Sequence, residues 1–120
     1  MAVKQFDVTQ GGLKNYVQEL RGYIHLRKAW GELVPKPLFL SESWSGNVKF
    51  LGLELGRSPD VTELPKVRDD LKRIQERLID EFGFEQLDAD SCNTIYLPGN
   101  DRVKEEHLVA IDLEAHRILT

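Results

Sequence analysis
The alternation of apolar and polar residues begins at once, in Ala2-Val3-Lys4-Gln5-Phe6, and stops at a turn rich in Asp7, Thr9, Gly11 and Gly12. This predicts a short strand and a turn. From Leu13 the apolar positions Leu13, Tyr16, Val17, Leu20, Tyr23, Ile24 and Leu26 or Trp30 keep the period of an amphipathic helix, with Gly31 as its stop. Val34-Pro35-Lys36-Pro37 excludes helix, because proline lacks an amide hydrogen and disfavours helix in the residue before it. Leu38–Leu40 and Val48–Leu55, joined by turn residues from Ser41 to Asn47, predict a hairpin.

The second half reads in the same way. Asp60 to Leu64 predicts one helical turn before Pro65, and Val67, Leu71, Ile74, Leu78 and Phe82 form the apolar stripe of the longest helix, closed by Gly83. Thr94–Leu97 and Leu108–Ile111 predict a second hairpin with a long arm around Pro98-Gly99-Asn100-Asp101. The fold class is therefore α+β. At 120 residues a single domain is expected, with no repeat or linker to divide it.

Composition narrows the partners. A net charge of -4 offers no long-range attraction for nucleic acid or an anionic membrane, so neither is an expected partner. No run nears the roughly 20 apolar residues of a membrane span, and no export leader is visible. The single cysteine, Cys92, rules out an internal disulfide framework. An intracellular site, cytoplasm or nucleus, is the expectation.

Candidate chemistry gathers around the acidic loop Gln86-Leu87-Asp88-Ala89-Asp90-Ser91-Cys92-Asn93 and the strand end at Asp112. Folding the second hairpin is expected to bring Asp88, Asn93 and Asp112 together, and two carboxylates with an amide oxygen are hard ligands suited to magnesium. Paired carboxylates also serve glycoside hydrolysis, but no aromatic sugar platform accompanies them. Cys92, His25, His107 and His116 share no metal-ligand spacing, and structural or surface roles are expected for them. Trp30, Phe39, Trp44 and Phe50 are expected in core or hairpin packing.

The order of these segments resembles that of protein kinases and their small eukaryotic relatives, among them fungal kinase-like families and the kinase domains of some crinkler effectors. Asp88 and Asn93 stand at the Asp-x-x-x-x-Asn spacing of a catalytic loop, and Asp112-Leu113-Glu114 stands where the metal-binding Asp-Phe-Gly would be. Ala2-Val3-Lys4 resembles the strand whose lysine holds nucleotide phosphates, with Glu19 as its ion-pair partner. Phe50 to Gly56 resembles the strand and hinge that hold adenine through backbone atoms, at Glu54 and Leu55.

The resemblance implies a truncated kinase-like fold: a small lobe over 1–56 with an antiparallel sheet and one helix, and a reduced helical second lobe over 57–120. It implies ATP and magnesium as cofactors, Lys4, Glu19, Glu54 and Leu55 as nucleotide-binding residues, Asn93 and Asp112 as metal ligands and Asp88 as the catalytic carboxylate. Two departures weaken the implied activity. No glycine-rich loop precedes Lys4 and no activation segment follows Glu114, as expected of a truncated domain or a gene fragment. Gln86 replaces the usual histidine, which is expected to loosen the catalytic aspartate.

Other readings stay open. Lys4 also fits a solvated edge-strand lysine, Glu19 a surface residue, and Asp88 and Asp90 simple turn residues. An unrelated α+β domain accommodates the same pattern. A non-catalytic module that acts through a protein partner or self-association is the alternative function, with apolar surface left exposed for contact.

Overall fold
A computed structural model describes residues 1–119. It is α+β, with two helices and small antiparallel sheets. Strand β1 (Ala2–Asp7) leads into helix α1 (Gly12–His25), followed by β2 (Pro37–Glu42) and β3 (Val48–Leu53). These three strands form one sheet in the order β1-β3-β2, with Lys4 opposite Leu51 and Ala2 opposite Leu53. Because side chains alternate across a strand, Lys4 shares its face with buried Phe6 and points to the α1 side. Tyr16 of α1 closes this contact edge-on to Phe6, at 5.3 Å between ring centres.

Helix α2 (Leu64–Phe82) begins where its sequence signals require. Asp60 and Glu63 form a reciprocal capping box in the short turn ahead of it, Pro65 sits in its first turn, and Gly83 ends it at a φ of 59°. Its buried residues are Val67, Leu71, Ile74 and Leu78, while Phe82 is partly covered. The chain continues through β4 (Phe84–Gln86), β5 (Thr94–Leu97), β6 (His107–Ala110) and β7 (His116–Ile118). Strands β5 and β6 make the second hairpin, while β4 and β7 pair antiparallel with Phe84 opposite Ile118.

The second half holds the one long helix, α2, and the hairpin expected of it, among the described residues, but the reduced helical lobe is corrected by a further small sheet, β4 paired with β7. Helix α1 also ends earlier than expected, at His25 instead of Gly31. Leu26, Ala29 and Leu33 are buried beyond the helix end, so the apolar rhythm continues through a 3-10 turn after the helix stops. Trp30 is partly buried there, and its Nε1 donates to the Tyr23 carbonyl at 2.7 Å. Trp44 is a further correction, since it is fully exposed at the β2–β3 turn and packs no core.

The apolar arc of α1 is wider than the arc it buries. Glu19, Gly22 and Tyr23 are buried, whereas Leu13, Val17 and Ile24 lie exposed along another side. Core residues from β1, α1, β3, α2, β4, β5 and β6 nonetheless form one continuous cluster. Leu113, completely buried, joins it beside α1. A methyl group at Gly22 would stand 3.0 Å from Leu113 Cβ, so glycine is what lets the helix approach this segment.

Candidate functional site
A cavity of about 320 Å³ opens between β1, the segment after β3, and the strand ends of the second hairpin. That volume lies at the lower end of the range for small-molecule sites. Its apolar lining includes Ala2, Val3, Leu53, Leu55 and Ile95. Its polar lining includes Lys4, Glu19, Asn93 and Asp112. Residues more than 100 positions apart thus meet, as the period of each element dictates. Lys4 comes from the inner face of β1, and Glu19 from the buried face of α1.

Lys4 is half-buried and ion-paired, which sets aside the solvated edge-lysine reading. Its Nζ donates to Asp112 Oδ1 at 2.8 Å and to Glu19 Oε1 at 3.4 Å, and stands 3.9 Å from Glu114 Oε2. The ammonium also lies 5.4 Å from the Phe6 ring centre. Burial works against its charge, but the Asp112 hydrogen bond and the attraction of Glu19 prevail and its pKa is raised.

Glu19 is completely buried, which removes the surface-residue reading. Burial pushes its carboxyl up to about 7, with Asp112 and Glu114 adding to the rise and Lys4 opposing it. Among the described residues its Oε2 has no hydrogen-bond partner, and neither does the hydroxyl of buried Tyr23 one turn along α1. Burial chiefly raises the Tyr23 phenol, with Glu19 and Asp112 contributing.

Asp112 follows β6 in a left-handed conformation, φ 65°, which is costly for a residue with a side chain. A set of hydrogen bonds holds it there. Ile111 N donates to the Asn93 carbonyl at 2.9 Å, and Leu87 N to the Ala115 carbonyl at 2.9 Å. His116 Nδ1 donates to the Leu113 carbonyl at 2.6 Å. Buried Gln86 donates through Nε2 to the carbonyls of Ile111 at 2.8 Å and Asp112 at 3.2 Å, while its Oε1 accepts from Gln75 at 2.8 Å. These Gln86 bonds fasten the backbone at Asp112, and do not bear on the looseness expected of Asp88.

Asn93 donates from Nδ2 to the Asp88 carbonyl at 2.8 Å, which leaves its Oδ1 as the atom suited to ligate a cation. Asp88 itself does not join Asn93 and Asp112 along the cavity. It is exposed, and its backbone carbonyl is what touches Asn93. Asp90 is a turn residue, accepting from the backbone amide of Cys92 at 3.1 Å.

The Glu54 side chain is turned away from ligand duty. Its Oε1 accepts from Lys36 N at 2.6 Å, and its own amide donates to the Lys36 carbonyl at 3.1 Å. Glu54 and Leu55 both line the cavity. Gly56 allows this segment to close on β5, since a Cβ there would meet the Tyr96 carbonyl at 2.5 Å. Arg57 then bonds Tyr96 in both backbone directions at 2.9 Å and lays its guanidinium over the Tyr96 ring.

Glu114 is the site residue that sequence reasoning left without a role. Its only signal was adjacency to Asp112. Together Glu19, Asp112 and Glu114 bring one oxygen each within 4.8 Å of one another. Asn93 and Asp112 are the other pair with hard oxygens at the cavity. No protein-family model matches this chain, and no curated protein matches it either.

Proposed function
We propose that the cavity is a nucleotide cleft of protein-kinase type that takes ATP with magnesium and transfers phosphate poorly by itself. The observation that carries this reading is the convergence of Lys4, Glu19, Asn93 and Asp112 on one cavity that is otherwise largely apolar in its lining. An adenine ring fits the slot between Ala2, Leu55 and Ile95, with backbone atoms of 54–56 as its polar partners. The phosphates would replace the Asp112 carboxylate on the Lys4 ammonium, and Asn93 Oδ1 and Asp112 would hold magnesium, which would supply charge neutralisation to the phosphates.

Two features argue for slow transfer. Asp88, the carboxylate in sequence position to accept a hydroxyl proton, stands outside the cavity lining. Lys4 is also surrounded by carboxylates that compete with phosphate. Thermal stabilisation by ATP and magnesium tests the reading, because a ligand of the native state raises apparent stability. A shift that disappears in Lys4→Ala and in Asp112→Ala is the expected result; no shift at ligand well above millimolar would defeat it.

A second reading, of a module that acts by contact, is favoured by the exposed stripe Leu13, Val17 and Ile24 on α1. Sedimentation across concentration distinguishes it. Association that Val17→Asp abolishes would support this reading, and a monomer at every concentration would remove self-association from it.

A further inference from the structure
We propose that Glu19, Asp112 and Glu114 form a site for a hard divalent cation that fills without nucleotide. The proposal deepens the nucleotide reading and rests on it for treating Asp112 as a metal ligand. It differs in adding two carboxylates and in requiring no phosphate.

Charge is the first argument. Three carboxylates surround one ammonium, at 3.4 Å, 2.8 Å and 3.9 Å from Lys4 Nζ. Ionised, this group carries two uncompensated negative charges, which is the charge one divalent cation supplies. Spacing is the second. One oxygen from each carboxylate lies within 4.8 Å of the others, close enough for a single cation to reach all three.

The third argument is independent of the carboxylate count. Glu19 Oε2 and the Tyr23 hydroxyl are both buried without a hydrogen-bond partner among the described residues, although native structures rarely leave such groups unpaired. A hydrated cation supplies both, bonding Oε2 directly and presenting a coordinated water to the phenol. Entry is open from the Asp112 and Glu114 side, whose side chains are about one-third exposed.

Titration of the 120-residue protein with Mn²⁺ alone, following free Mn²⁺ by its electron paramagnetic resonance, tests this. One bound ion per chain is expected. Glu114→Gln, which keeps side-chain volume at a part-exposed position, is expected to weaken binding about tenfold, since affinity follows the number of charged ligands. Glu76→Gln on the exposed side of α2 is the control and leaves binding unchanged. Lys4→Met is expected to tighten Mn²⁺ while losing ATP, a divergence that a purely structural role for Lys4 would not produce.

Absence of stoichiometric Mn²⁺ binding, or equal binding by Glu114→Gln, overturns the proposal even if ATP with magnesium still binds. Mn²⁺ binding with these variant effects, in a protein that ATP never stabilises, upholds the cation site and removes the nucleotide reading instead.

Discussion

Glu19 is the residue whose chemistry most exceeds its structural duty. Its folded pKa of about 7 lies above the ordinary 4.5 because burial penalises the carboxylate. A group that binds its proton more tightly when folded adds stability that is complete below about 4.5 and is lost as pH rises through about 7. Denaturation of the wild type and of Glu19→Gln across this window is therefore expected to show a falling difference in favour of the wild type. A pH-independent difference would contradict the burial account. Gln86 offers a second test at this scale. Gln86→Leu removes the donor to two carbonyls and the acceptor for Gln75, at an expected cost of about 1–3 kcal/mol. Chemical denaturation measures it, and an unchanged midpoint would show that these bonds do not hold Asp112. Lys4, Glu19, Asn93 and Asp112 were singled out from the order of segments that the kinase resemblance supplied, with Lys4 on β1, Glu19 on α1 and Asp112 beyond the end of β6. Gln86 and Glu114 were not, since their roles depend on backbone carbonyls and on an ammonium that only the fold brings near.

At the scale of elements, the approach of α1 to the segment after β6 decides whether the site exists. Gly22 makes that approach possible, with Leu113 Cβ at 3.0 Å from where a side chain would begin. Gly22→Val is expected to destabilise the protein by about 1–3 kcal/mol through overpacking, and to weaken ligand binding as Glu19 is carried away from Lys4. Thermal melts with and without ATP and magnesium check both effects; a variant as stable and responsive as the wild type would show that the contact is dispensable. The helix cores and both predicted hairpins were readable because apolar period and turn residues agree in them. The end of α1 was misread for a physical reason, that Leu26, Ala29 and Leu33 remain buried after the helix hydrogen bonding has ceased. Strands β4 and β7, of three residues each, are too short for alternation to register, and only their pairing across Phe84 and Ile118 defines them.

For the whole molecule, the continuous cluster from Phe6 to Leu113 implies that the sheet of β1, β3 and β2 and the remainder unfold together. Trp44 is fully exposed, so in a Trp44→Phe variant Trp30 alone reports on packing between α1 and the core. Its fluorescence transition is expected to coincide with loss of helix by circular dichroism, and two separated transitions would show independent halves. Leu113→Ala, which empties a fully buried position beside α1, is expected to cost about 2–5 kcal/mol by denaturant melting. A smaller loss would mean that the core closes around the gap. Fold class was accessible from periodicity alone, as were α2 and the β5–β6 hairpin of the second half, whereas the β4–β7 pair was not, because its strands are short.

The central claim is that one cleft joins an apolar slot to the Lys4, Glu19, Asn93 and Asp112 cluster and receives nucleotide with its metal. The most direct measurement is the change in backbone amide resonances when a non-hydrolysable ATP analogue and magnesium are added to the labelled protein. The account predicts shifts confined to Val3 and Lys4, Leu55 and Gly56, Ile95, and Ile111 to Asp112, all lost in Asp112→Ala. Shifts centred elsewhere, or none at saturating ligand, would contradict it.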